Sequence, residues 1–353
     1  MLELFFLVFR FSMFSYTAAA AFFLAGCTGP PSALFYRPVA EFILGWDSLR
    51  AAALAKVLIS GLALAVTGYH CTCQFLNPDL PPRIISGYLL FILPTNLAGD
   101  LAGGFLALLV PSLFQLIILS VMCTYASFSL FRHAFRLSVF ENSGMTVKVQ
   151  SMVQSQERGF LMVPAILLVV YCLCLFIRGT SNLSSIAGIK MCSGAYWIVT
   201  AVEFVLLCTF AWLNCAPQNR VLLCAVVIEG LLSGIIGMSV GVVLTPLLLD
   251  MTSMTPLQSI SISIICVAVI STSSALTSLA SGFLSADTAY YAVVTFFAGL
   301  LFQHFISILV EWTRRPSLAV WLVASFITLG GCLVFSVSTT AHLDGIFISQ
   351  SLC

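Results

Sequence analysis

A unit in which an apolar segment breaks at glycine and resumes as a short second segment occurs twice in this chain. In the second half the break lies at Gly237 and the chain resumes through GMSVGVVLTPLLLD. In the first half a similar break lies in CTGPPSALFYRPV, and Pro38 stands 208 positions before Pro246. The tripeptide PSL also recurs, at Pro111 and Pro316. Two copies of a broken apolar unit are typical of membrane transporters built from structural repeats.

The composition indicates the environment in which the chain folds. Hydrophobic residues make up 60% of the 353 residues and charged residues only 8%. Such a chain has too few polar residues for a water-facing surface, so we expect an all-α polytopic membrane protein in a lipid bilayer. The sequence is equally compatible with the plasma membrane and an endomembrane, and it carries no signal for a particular oligomeric state. The net charge is +1 without a basic block, so nucleic acid is not an expected partner.

The apolar runs give roughly ten to twelve membrane segments at about 20 residues per crossing. They are 4–27, 31–45, 48–69, 84–109, 111–133, 160–178, 193–214, 220–238, 241–251, 256–282, 287–311 and 317–338. The predicted organisation is a first membrane repeat (1–136), a cytosolic loop (137–159), two connector helices (160–218), a second membrane repeat (219–340) and a C-terminal tail (341–353). The segments 31–45 and 241–251 are too short to span a bilayer unaided and are predicted to be broken or re-entrant.

The basic residues predict the orientation. The longest polar stretch runs from Phe131 to Gly159 and should face the cytosol by the positive-inside rule. Its basic residues are Arg132, Arg136, Lys148 and Arg158. If every segment crosses the membrane, seven segments separate corresponding points of the two halves. An odd number of crossings places these points on opposite faces of the membrane, so the repeats are inverted. If both short segments fail to cross, six segments separate the halves and the inversion is lost.

Three other local patterns have competing interpretations. The first 27 residues end in small residues, as a signal peptide does, but the run lacks a basic start and carries the repeated break, so we predict an uncleaved helix. Asn182 lies in a glycosylation sequon on the predicted outer face.

The sequence HCTC, His70 to Cys73, has thiols and an imidazole that suit a soft metal. Its spacing matches no standard zinc site, so we predict an ordinary helix end, with no metal and no cofactor.

Polar residues within the apolar runs are the candidates for function. They are Lys56, Asn96, Asp100, Glu203, Glu229, Gln303 and His304. Ionisable groups in a membrane usually face a protein interior or an aqueous path and pair with another group. Lys56 follows the first break, where an anion attracted by helix N-termini would also meet a cation. Asp100 and Glu203 have the alternative interpretation of clamps between helices.

The segment from Ser259 to Ser281 is rich in hydroxyl side chains. They either line a polar path or bond back to the preceding helical turn while their small size allows close packing. Both interpretations stay open because the hydroxyls occur on every face of the segment.

The chain resembles the sulfite exporter family TauE/SafE, in its eukaryotic, plant-like branch. The family's second break, of the kind GLGGGFILGPLLLELG followed by a helix of small residues, is similar to the sequence from Glu229 to Ile264. The sequences AGLLFQHFISILVEWTRRPSLAVWL, NPDLPPRIISGYLL and CSGAYW resemble further segments of that branch, and the family's lysine after the first break falls on Lys56. This chain departs from the family pattern at Val240 and Pro31, which stand at glycine-rich positions.

The resemblance implies export of a small sulfur oxyanion, sulfite or a sulfonate, by alternating access. The candidates for the substrate path are Gly26, Gly29, Lys56, Gly237, Ser239, Gly241, Gln303 and His304. Asp100 and Glu229 are candidates for coupling or pairing. A degenerate relative that serves as a scaffold or sensor is the alternative, and it would explain the altered glycine motifs. An intramembrane enzyme is not expected, because the sequence has no HExxH and no protease-like pair of aspartates.

Overall fold

The computed structural model describes residues 16–46, 48–76, 86–107, 109–142, 162–178, 188–189, 193–237, 241–252, 254–280 and 287–343. Every regular element in these ranges is helical, which confirms the all-α prediction. The helices are α1 (Tyr16–Gly26), α2 (Ala33–Ile43), α3 (Ser48–Leu76), α4 (Ser86–Ala107), α5 (Ser112–Asn142), α6 (Met162–Arg178), α7 (Gly194–Asn214), α8 (Arg220–Ile236), α9 (Gly241–Met251), α10 (Pro256–Ala280), α11 (Asp287–Thr313) and α12 (Ser317–Leu343). Short 3-10 turns precede α2 (Pro30–Ser32) and α8 (Pro217–Asn219).

The lengths and compositions of the helices confirm a multi-pass membrane protein. Eight helices of the described chain are long and apolar enough to cross a membrane, namely α3, α4, α5, α7, α8, α10, α11 and α12. Apolar helices of 10–17 residues occur at Tyr16–Gly26, Ala165–Cys174 and Gly241–Met251. Each of the twelve helices coincides with one of the twelve predicted segments, although several ends differ.

Helices α3, α5, α11 and α12 extend beyond the apolar runs that predicted them. Helix α12 continues to Leu343, past the end predicted for the second repeat at residue 340. Helix α5 continues to Asn142, so the predicted loop at 137–159 begins later, and Arg132 and Arg136 lie within the helix. The tertiary reason is Glu141, whose Oε1 accepts a hydrogen bond of 2.9 Å from the backbone N–H of Ser317 at the start of α12. Helix α3 continues to Leu76, so HCTC lies within the last two turns of this helix.

The short helices α2 and α9 are equivalent in length and position. Both have 11 residues, and they begin at Ala33 and Gly241, which are 208 positions apart. Pro38 and Pro246 are each the sixth residue of their helix. The predicted short second segment of each half is therefore present, with the same internal proline.

A glycine with positive φ lies at each break, at positions that are 208 residues apart. Gly237 directly follows α8 in the left-handed conformation, with φ 70°, whereas Gly29, with φ 74°, lies three residues after the end of α1 and precedes the turn Pro30–Ser32. Glycine has no Cβ and adopts positive φ without strain, so it ends a helix at low cost. The two halves therefore share a break, a short helix and a long helix at one offset.

Helix packing is repeated between the halves. Helix α8 packs against α4, and α1 against α11. Helix α9 packs against α5 and α10, while α2 packs against α12 and α3. The third and fifth helices of the two halves pair with each other, as α3 with α10 and α5 with α12. If each helix of one half is replaced by the equivalent helix of the other half, the same set of helix contacts results.

Helices α5 and α12 run antiparallel. Contacts between them, in order along α5, join Cys123 to Gly331, Ser127 to Thr328, Phe131 to Trp321 and Glu141 to Ser317. The corresponding last helices of the two halves thus point in opposite directions, as an inverted arrangement requires.

Burial places α3 and α10 at the centre. In the most apolar part of each of these helices 72% of the residues are buried, compared with 28% in α7 and α11. Large exposed side chains such as Phe297 on α11 and Val205 on α7 belong to the outer surface. We therefore expect α3 and α10 to lie inside the bundle and α7 and α11 to face lipid.

Candidate functional site

The first break packs tightly against α11. A Cβ at Gly26 would lie 2.7 Å from the Cβ of Ala298 and 3.0 Å from the hydroxyl of Tyr36. A Cβ at Gly29 would lie only 2.1 Å from the ring of Phe302. Both glycines are therefore required by close packing, and Gly29 also by its positive φ.

The second break is formed by a left-handed helix end. The backbone N–H of Gly237 donates to the carbonyl of Ser233 at 2.9 Å and satisfies one orphan carbonyl of α8. The carbonyl of Gly241, at the start of α9, accepts a hydrogen bond of 3.3 Å from the hydroxyl of Ser263 on α10. Ser239 lies outside the described residues, so its predicted role stays a prediction.

The two breaks come together inside the bundle. The turn Pro30–Ser32 packs against α9, and a small crevice lies between α2, α5, α8 and α9. It is lined by Leu34, Leu119, Met122, Cys123, Ser233, Ile236, Val242 and Val243. The walls of this crevice are mainly apolar, and Pro30 and Pro31 have no N–H to donate. The first break therefore offers an anion fewer backbone donors than a glycine-rich break would.

Glycines bring α4 and α8 into backbone contact beside the second break. A Cβ at Gly99 would lie 2.8 Å from the backbone of Gly230, and one at Gly234 would lie 2.6 Å from the carbonyl oxygen of Asp100. At Gly103 the distance to the carbonyl oxygen of Leu231 would be 2.2 Å. Such close approach through small residues is a usual way to pack membrane helices. It allows the short side chains of α4 to reach groups on α8.

Asn96 and Glu229 form a buried pair across this seam. Asn96 is fully buried and Glu229 is 3% exposed. With the amide of Asn96 oriented to match its neighbours, its nitrogen donates to Oε2 of Glu229 at 2.8 Å and to the carbonyl of Val226 at 3.1 Å. Within the described part of the chain, Oε1 of Glu229 is buried and has no hydrogen-bond partner. The thiol of Cys266, on α10, lies beside both side chains.

Asp100 interacts electrostatically with Glu229 of this pair and with Lys56. The hydroxyl of Ser274 donates to Oδ2 of Asp100 at 3.3 Å. The charge of Lys56 acts on Asp100, and the charge of Asp100 acts on Glu229. Lys56 and Asp100 are half-buried, unlike Glu229. The structure therefore unites Lys56, Asn96, Asp100 and Glu229 in one group, which we call the carboxylate cluster.

Gln303 and His304 lie on different faces of α11. Gln303 is buried and follows Phe302, the residue that packs against Gly29. His304 is exposed, next to the exposed ring of Phe305. Of this pair, only Gln303 lies inside the bundle, and its predicted place on a substrate path stays a prediction.

A second polar group, which the sequence analysis missed, joins α5 to the end of α9. Asp250 accepts hydrogen bonds from Tyr125 at 3.1 Å and from Ser129 at 2.7 Å, and it lies 2.9 Å from Nε2 of His133. Tyr125, Ser129 and His133 are spaced by four residues and so lie on one face of a helix. This spacing was the available signal, but the sequence did not reveal that Asp250 is their partner.

Most hydroxyls of α10 support packing. Back-bonds to carbonyls of the preceding turn are made by Ser261, Ser271, Ser273, Thr277 and Ser278. Ser263 and Ser274 donate instead to groups on other helices. The packing interpretation thus applies to the five back-bonded residues, and the interpretation of this segment as the lining of a polar path stays a prediction.

The remaining predicted positions do not form a further site. Glu203 is buried on α7, which packs against α4. His70 is buried within α3, and the described residues include no group of three or more His, Cys, Asp or Glu residues that could hold a metal ion. Asn182 and the predicted turn at 77–85 lie outside the described residues.

Comparison of the chain with protein-family models, curated proteins and solved structures found no match. The resemblance to the TauE/SafE family therefore rests on the sequence motifs alone.

Proposed function

We propose that the chain is a membrane transporter of the TauE/SafE type, which exports sulfite, a sulfonate or a related small anion by alternating access. The observation that carries this proposal is the pair of equivalent breaks that meet inside the bundle. Transporters built from inverted repeats place their substrate between the repeats, at helices that are interrupted there.

The packing supports two inverted repeats, 1–136 and 219–340. The helix pairings are exchanged between the halves, and α5 and α12, which correspond to each other, run antiparallel. An in-plane twofold relation has this consequence for corresponding helices. In the proposed cycle the two halves rock about the central pair α3 and α10, and the path opens alternately to each face.

Lys56 supplies the positive charge for the anion. It lies on the central helix α3, half-buried, where a cation is costly unless it has a partner. The carboxyl group of Asp100 lies within electrostatic reach of the ammonium group of Lys56. An incoming anion competes with Asp100 for the ammonium group, so anion binding and the state of the carboxylate cluster are linked.

The test is uptake of radiolabelled sulfite and sulfate into proteoliposomes that contain the purified protein. We expect saturable uptake, and we expect Lys56→Ala to lower it at least about tenfold, which corresponds to about 1.4 kcal/mol of lost stabilisation of the anion. Lys56→Arg keeps the charge and should retain part of the flux. Arg136→Ala, at an exposed position on α5, is the control and should transport like the wild type.

A scaffold or sensor without transport is the second candidate. The observation that favours it is the mainly apolar crevice between the breaks, together with the missing N–H groups of Pro30 and Pro31. This candidate predicts no uptake above that of protein-free vesicles, although the protein is folded and inserted. That outcome would overturn the transport proposal.

A further inference from the structure

The enclosed carboxyl group of Glu229 has an incomplete set of partners. Asn96 donates to one of its oxygens at 2.8 Å, and the other oxygen is buried without a hydrogen-bond partner among the described residues. An ionised carboxylate in such a place lacks the donors that replace water, and this costs several kcal/mol. A proton on the unpartnered oxygen removes that charge.

The charges around Glu229 do not balance unless a proton is bound. The facing groups are Asp100 on α4 and the thiol of Cys266 on α10, while Lys56 on α3 acts on Asp100. On α5 and α9, Cys123 borders the crevice at Ser233, and Asp250 is bonded to α5. The carboxylate cluster thus has two carboxyl groups and one ammonium. If Lys56 balances Asp100, a proton on Glu229 makes the cluster neutral as a whole.

Asp100 is half-buried, whereas Glu229 is enclosed, and Asp100 interacts electrostatically with both Lys56 and Glu229. Helix α8 ends at Gly237, two turns after Glu229. Movement of the break in the transport cycle therefore moves the helix that holds this carboxyl group.

We propose that Glu229 is the proton-binding residue that couples anion transport to a proton, and this inference rests on the proposed transport function. The proton binds to Oε1 of Glu229 from water on one face and leaves to water on the other face, with no bond other than O–H made or broken. A protonated Glu229 leaves the cluster neutral and able to accept an anion at Lys56, whereas an ionised Glu229 makes it negative and repels one. Proton and anion therefore move in the same direction, and the anion is exported wherever its outward concentration gradient exceeds the inward proton gradient.

The experiment measures accumulation of labelled methanesulfonate or sulfite in proteoliposomes, with the outside made one pH unit more acidic than the inside. Protein-free vesicles are used to subtract passive entry of the uncharged acid. With one proton per monovalent anion, this gradient drives about tenfold accumulation in wild-type vesicles, since one pH unit corresponds to about 1.4 kcal/mol. Glu229→Gln should show no accumulation above the outside concentration. Glu203→Gln replaces another buried carboxyl and should accumulate like the wild type.

The outcomes separate the two proposals. If wild-type vesicles exchange labelled for unlabelled anion at equal pH but do not respond to the gradient, or if Glu229→Gln responds like the wild type, the inference is overturned and transport stands. If wild-type vesicles do not exchange anion at all, the transport proposal itself fails.

A second measurement needs no transport. The infrared difference spectrum of the detergent-solubilised wild type against Glu229→Gln should contain the carbonyl band of a protonated carboxylic acid. Absence of that band at neutral pH, with both proteins folded, would contradict the proposed proton site.

Discussion

Replacing Gly103 by alanine should open the seam between α4 and α8. The added Cβ would lie 2.2 Å from the carbonyl oxygen of Leu231, whereas an ordinary contact of this kind begins at 3.4 Å. The obstructing atom belongs to the backbone of α8, so no side-chain rotation can relieve the clash. The two helices must separate locally by about 1.2 Å.

The expected loss follows from overpacking. Inserting a methyl group into a well-packed interior costs about 1–3 kcal/mol. With about 2–4 °C per kcal/mol for larger domains, the midpoint of thermal unfolding should fall by roughly 2–12 °C. Separation of the helices also weakens the hydrogen bond between Asn96 and Glu229, because these residues lie on opposite sides of the seam.

The assay is thermal unfolding of the purified protein in detergent, followed by tryptophan fluorescence. Gly104→Ala is a matched control, because the neighbouring residue has open space and no atom within 4 Å of an added Cβ. Alanine at that position should be neutral or stabilising, since it favours helix over glycine by about 1 kcal/mol. Equal midpoints for Gly103→Ala and Gly104→Ala would refute the close α4–α8 contact.

Three further substitutions test other contacts, each by the same thermal unfolding measurement. Asp250→Asn removes the charge of the carboxylate that accepts hydrogen bonds from α5 and should lower the free energy of unfolding by about 2 kcal/mol. An unchanged midpoint of thermal unfolding would contradict these hydrogen bonds. Glu141→Ala removes the carboxylate at the start of α12 and should cost about 0.5–2 kcal/mol, whereas the exposed Glu311→Ala should have little effect. Gly237→Ala should cost about 1–2 kcal/mol of unfolding free energy, because Gly237 has φ 70°, and an added Cβ there would contact no other atom, so only backbone strain acts. Gly194→Ala, at a position with φ in the ordinary range, should be tolerated.

The broken units were predictable because their signals are local. Proline inside α2 and α9, glycine at the ends of the preceding helices and the 208-residue offset all stand in the sequence. The bounds predicted for α9, 241–251, agree with the structure for this reason. Hydrophobic length likewise predicted the membrane-spanning helices.

Contacts between distant segments were not predictable from single residues. The last turns of α5 form because Glu141 bonds to Ser317, which is 176 residues away. The partnership of His133 with Asp250 joins residues 117 positions apart. The sequence marked Asp100 and Glu229 as costly membrane residues, but only the packing of α4 on α8 shows that they share a cluster.

The central claim is that this protein carries a small anion across a membrane. The most direct test is counterflow, in which vesicles loaded with unlabelled sulfite are diluted into a trace of labelled sulfite. We predict that label accumulates transiently inside vesicles that contain the wild-type protein and that excess unlabelled sulfite outside abolishes this accumulation. Label entry equal to that of protein-free vesicles, with the protein folded and inserted, would contradict the claim for sulfite, and the same result with methanesulfonate would contradict it for the proposed class of anions.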